Sequence, residues 1–230
     1  MAKRTGRRMT DDALLSVRNT PPAIDRVLLG GLAVAYAAFA LTFRGPRSRF
    51  WQRMTNTGLT LGSLSLFAQP ELRRTRIGPK DIAMGLTSAG ALYVIFQVGD
   101  RLARVILPKG SAEIESIYEL HTLRPKKEIA ARLAVIVGPA EELYWRGVVQ
   151  KRLMARYGTV PGAVLGTAAY GGAHIVTGNF TLIGAATVAG AFWGALAAAG
   201  MPMGALIVSH MAWDIWIFLI APTVPVDHDA

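Results

Sequence analysis

From Tyr157 to Trp213 the chain carries no Asp, Glu, Lys or Arg. A water-exposed domain surface is roughly 25–35% charged, so a stretch of this length has no surface to show to water. It is long enough to cross a bilayer more than once, since one crossing takes about 20 apolar residues. Short turns divide it: TGN at 177–179 and AGMP at 199–202. They leave three apolar segments, 160–176, 180–199 and 203–220. The whole chain agrees, with 52% hydrophobic and 17% charged residues and a mean hydropathy of +0.34. Together these exclude a soluble globule and predict an integral membrane protein.

The charge distribution narrows the partners. The formal net charge is +10, and every Lys and Arg lies at or before Arg156. These residues flank apolar runs instead of alternating with exposed aromatics, so they suit a bilayer surface and not nucleic acid. There are no cysteines, which excludes disulfides, a thiolate nucleophile and Cys-ligated metal.

Upstream, residues 1–26 read as a basic tail, without the apolar core and small-residue site of a signal peptide. A first membrane helix is expected over 27–43. A shorter Ser/Thr/Gly-rich run follows at 54–68, then a clear span at 82–99 continuing to about Leu107. From Ser111, SAEIESIYELHTL has the pattern of an amphipathic interfacial helix. Residues 128–157 read as one long helix, kinked or restarted at Pro139. Gly162/Gly166 and Gly190/Gly194 have the four-residue spacing that lets membrane helices approach closely. The basic tail and the segment 151–156 place the N-terminus and Arg156 in the cytoplasm and the C-terminus outside. The basic loop at 44–53 conflicts with this unless 54–68 is not a simple span.

Ionisable groups at membrane depth are costly and mark functional interiors. Here they are Glu141, Glu142, Arg146, His174, His210 and Asp214, on three apolar segments. Glu142 and Arg146 are four apart and read as an ion pair on one face. Glu141 is rotated about 100° from Glu142 and is left for acid–base work. His210 and Asp214 also share a face. His121 and His228 lie in polar contexts and take no role. Ser209, beside His210, points elsewhere, so no Ser or Cys nucleophile accompanies the group.

EELYWR at 141–146, YGGAH at 170–174 and HMAWD at 210–214 resemble, in order, the EExxxR, FxxxH and HxxxN/D motifs. That series marks the CPBP family, the CAAX-processing and bacteriocin-processing (Abi) intramembrane endopeptidases. The resemblance covers roughly 128–220. It implies an all-α polytopic transmembrane bundle of about 6–8 helices with a polar intramembrane cavity. It makes Glu141 the water-activating base and His174 its assistant, and it gives the oxyanion to His210 and Asp214. Glu142, Arg146 and Tyr170 become structural support. Two positions depart from the pattern: Tyr170 stands where Phe is commonest, and Asp214 where the better-studied prenyl-protein peptidases carry Asn.

The expected organisation is a tail at 1–26, accessory membrane helices with the amphipathic segment at 27–127, a catalytic core at 128–220 and a short tail at 221–230. The expected activity is peptide-bond hydrolysis in a membrane-associated peptide or protein, with or without a lipid modification, in CAAX-like or leader-peptide processing. The expected location is a multi-pass position in the cell (inner) membrane. No cofactor is favoured. The alternatives are a zinc peptidase with His174, His210 and Glu141 as ligands, a non-proteolytic membrane immunity or scaffold protein, and an ion or proton relay.

Overall fold

The computed structural model describes residues 25–106 and 110–221, and every regular element among them is helical. The tail predicted at 1–26 lies outside the described residues apart from Asp25 and Arg26. His228 and the tail at 221–230, beyond Ala221, also lie outside them. Helix α1 is Arg26–Phe43, α2 is Phe50–Ala68 and α3 is Pro79–Ile106. The amphipathic segment forms α4, Gly110–Tyr118, with a 3₁₀ turn over Glu119–Leu123. A continuous helix α5 runs over 126–157, and α6 is Thr159–Ala173. Helices α7, Phe180–Ala198, and α8, Met203–Ile215, complete the bundle, α8 continuing through a π turn over Trp216–Ile220. Among the described residues four stretches are long and apolar enough to cross a membrane: Arg26–Phe43, Pro79–Arg101, Phe180–Ala198 and Met203–Ile220.

The helix caps and ion pairs show which ends lie together. Arg152, near the end of α5, pairs with Asp25 at 2.9 Å, and Lys151 pairs with Glu71 at 2.8 Å. Arg152 also reaches the Ala68 carbonyl at 3.5 Å. The start of α1 and the ends of α2 and α5 therefore share one end of the bundle. At the opposite end Arg44 donates to the Val176 carbonyl, and Arg47 to the Ser116 carbonyl and the Glu119 carboxylate. There Glu113 of α4 accepts from the Thr181 backbone N–H at 2.8 Å and its hydroxyl at 2.7 Å. The segment expected to start at 54 begins at Phe50 and returns the chain from one end to the other, so both ends carry basic clusters.

Asp25 caps α1, accepting from the Leu28 N–H at 3.0 Å. Partial burial alone would raise its carboxyl, but the Leu28 N–H and the Arg152 guanidinium outweigh it and hold it below the ordinary value. The hydrogen bond from Lys151 lowers Glu71 in the same way. A depressed folded-state carboxylate contributes stability above its unfolded value and loses it as pH falls through the folded one. This end of the bundle is therefore expected to loosen only below the ordinary carboxylate range. Thermal denaturation in detergent should give a constant Tm through neutral pH and a fall at acid pH that is smaller in Arg152→Ala/Lys151→Ala.

The small-residue spacing has a specific use at two places. A Cβ at Gly162 would lie 2.3 Å from the Met154 backbone, at the tight α5–α6 turn that Gly158 makes with φ +90°. A Cβ at Gly190 would lie 2.7 Å from the Tyr170 ring. Gly162→Ala forces backbone apart and is expected to destabilise by about 1–3 kcal/mol, read as a lower Tm in detergent.

Candidate functional site

The long helix α5 does not end at Pro139. It runs through, with two π-helical turns, Leu133–Val137 and Trp145–Gln150, around the α-helical Gly138–Tyr144. Proline lacks the N–H that an α-helix would use. Here Gly138, just before it, donates five residues back, to the Leu133 carbonyl, so the wider turn accommodates the proline within one continuous run of helical residues. Such π turns recur at functional positions. The two glutamates lie in the α-helical stretch between these two π turns.

The two glutamates have separate partners. The Glu142 side chain is fully buried. Its Oε1 accepts from Arg146 Nη1 at 2.9 Å on the same helix and faces His210 Nδ1 of α8 at 2.7 Å. Arg146 in turn donates to the Gly190 carbonyl of α7 at 3.2 Å and lies over the rings of Tyr170 and Trp193. One turn on, Gln150 repeats the pattern, donating to the Gly194 carbonyl at 2.8 Å. The ion pair expected within α5 is thus also a bolt between α5, α7 and α8.

Glu141 is kept out of that network. Its Oε2 accepts from the Tyr170 hydroxyl of α6 at 3.0 Å. His174, one helical turn beyond Tyr170, sets its Nδ1 at 3.0 Å from the Tyr170 carbonyl. A carbonyl can only accept, so Nδ1 carries the hydrogen, and in the neutral ring Nε2 keeps its lone pair. His174 is packed edge-on against Phe39 and Tyr170.

His210 is fixed on both sides. Its ring stacks on Trp193, with centroids 4.0 Å apart and planes at 14°. The Trp193 indole donates to Ser209 Oγ at 3.0 Å, which accounts for that buried hydroxyl. Asp214 Oδ2 lies 3.5 Å from His210 Nε2, an ion-pair distance longer than a good hydrogen bond.

Glu141, His174, His210, Asp214 and Tyr170 all line one cavity of about 480 Å³. It extends from these groups past Trp193 and Trp213 toward Phe96 of α3, Phe180 of α7 and Tyr118 of α4. Most of its wall is apolar, so the polar interior expected from the family resemblance is here a polar cluster in one part of an apolar cavity. Among the described residues no group of three His, Asp or Glu side chains is placed to hold a metal ion. His121, read as lying in a polar context, is buried, with Nδ1 2.6 Å from the Tyr118 carbonyl.

Sequence reasoning missed Trp193 as the plate under His210. Nothing in AFWGA distinguishes it from a packing residue, because the contact joins two separate helices. It also missed the hydroxyl of Tyr170, treated only as a ring, and the second partner of Glu142.

No curated protein and no solved structure matches the chain. Residues 128–216 match the family described as type II CAAX prenyl endopeptidase Rce1-like. That segment, which is similar to the CAAX-processing membrane endopeptidases, supplies Glu141, Glu142, Arg146, Tyr170, His174, Trp193, His210 and Asp214.

Proposed function

We propose that the chain hydrolyses a peptide bond of a membrane-associated peptide or protein, with a water activated on Glu141 and His174. One observation carries the reading. Glu142 takes Arg146, while Glu141 faces the cavity with a single hydroxyl partner beside a histidine whose Nε2 is free to accept. In this mechanism the water oxygen bonds to the scissile carbonyl carbon and its proton passes to Glu141. His210 stands where a donor can meet the developing oxyanion. The C–N bond then breaks, and the proton held on Glu141 goes to the leaving amine. An ionised Asp214 would repel an oxyanion and compete with it for the His210 Nε2–H, so in this reading Asp214 carries a proton at that step, while Glu142 holds Nδ1 and Nε2–H meets the oxyanion.

The apolar cavity wall favours a substrate that brings an apolar group to the site. The similarity to a family of prenyl endopeptidases points to a lipid-bearing C-terminal segment. In this reading the core is 128–220, with 27–127 as accessory helices. On the same reading helices α1–α3 and α5–α8 cross the cell (inner) membrane, and α4 lies at its surface.

The test is cleavage of a fluorogenic peptide library by the purified full chain, with metal measured on the same samples. Cleavage with substoichiometric metal supports the reading. Cleavage with about one bound zinc, lost together with the zinc in His174→Ala, would assign the site to a metal instead.

A further inference from the structure

We propose that the Tyr170 hydroxyl is the group that positions the general base, an inference that rests on the reading of Glu141 as that base. The ring of Tyr170 is fully accounted for by packing. It meets Trp145 and His174 edge-on, lies under the Arg146 guanidinium at 4.8 Å, and fills the space left by Gly190. A phenylalanine would satisfy every one of these contacts. The hydroxyl adds one thing, a hydrogen bond to Glu141 Oε2 at 3.0 Å. Burying a phenol without a partner costs free energy, and Glu141 supplies the partner here.

The bond has a chemical consequence. The last torsion of a glutamate is broad and two-fold, so a carboxylate with no partner presents either oxygen to the cavity in many orientations. The hydroxyl occupies Oε2, which leaves Oε1 as the oxygen that takes the water's proton. The same residue holds His174 through its backbone carbonyl. Tyr170 therefore sets the base on α5 and the histidine on α6 relative to each other. It touches the base and not the substrate, so it is a positioning residue. Effective catalysis needs such groups held to a fraction of an ångström.

The test compares wild type, Tyr170→Phe and Glu141→Gln in detergent. Tyr170→Phe is expected to keep the wild-type Tm and KM and to lose about tenfold in kcat. Wild-type kcat in Tyr170→Phe overturns the proposal. If Glu141→Gln is inactive while Tyr170→Phe is fully active, only the Tyr170 proposal fails. If Glu141→Gln cleaves like wild type, the base assignment fails and takes this inference with it. A second readout needs no substrate. The infrared carboxylate band of Glu141, isolated as the wild-type minus Glu141→Gln difference in glutamate-labelled protein, should shift in Tyr170→Phe. An unmoved band overturns the proposal, as does a Tm loss that accompanies an unmoved band.

Discussion

Glu141→Gln should leave a folded, monodisperse protein that has lost about 10²–10⁴-fold in kcat/KM. The amide has nearly the same volume as the carboxylate and can still accept the Tyr170 hydrogen bond through its oxygen. Among the described residues Glu141 forms no ion pair, so removing its charge breaks none. What disappears is the capacity to take a proton from water. The check is steady-state cleavage beside thermal denaturation of the same preparation. A variant that retains wild-type turnover would remove Glu141 from the chemistry and leave the immunity or scaffold reading in front.

Its neighbour should behave in the opposite way. Glu142→Ala is expected to destabilise the bundle by about 3–5 kcal/mol, because it leaves a buried cation without its counter-charge. Both the Arg146 and Glu142 side chains are almost wholly buried, 2% and 0% exposed. The same change removes the acceptor from His210 Nδ1, so α5 loses its tie to α8. The expected readouts are a large drop in Tm and loss of monodispersity on size exclusion. Glu142→Leu with Arg146→Met, which removes both charges, should recover much of the Tm. It should not recover activity, since His210 remains unanchored. A Glu142→Ala protein as stable as wild type would mean that the pair is not what joins these helices.

This contrast between adjacent glutamates was half visible in the chain. The four-residue step from Glu142 to Arg146 is local, and helix geometry turns Glu141 to another face. The order of apolar segments also followed from hydropathy, because a bilayer leaves the backbone few choices. What the spacing could not reveal were contacts between helices distant in sequence: Glu142 with His210, Tyr170 with Glu141, Trp193 under His210. Hydropathy along one segment carries no information on which neighbour meets it. The expected polar cavity rested on the family resemblance, and the short list of polar residues is too small to line 480 Å³. The run at 54–68 looked too short because its first turn is Phe50, Trp51, Gln52 and Arg53. There the basic residue hid a helix start, with Trp51 buried and donating to the Leu120 carbonyl.

The π turn over Leu133–Val137 sets the phase of everything after it. A π turn holds one residue more than the α turn it replaces, and each residue of an α-helix advances the side chains by about 100°. Deleting one residue within 133–137 would therefore let α5 relax to uniform α geometry and rotate Glu141, Glu142 and Arg146 together by about that angle. The composition, the hydropathy and all three motifs would survive such a deletion almost unchanged. The two carboxylates would then face away from Tyr170 and His210. The surplus residue in this turn works as a dial setting, and the direction in which the glutamates look depends on a count of residues upstream as much as on their own identity.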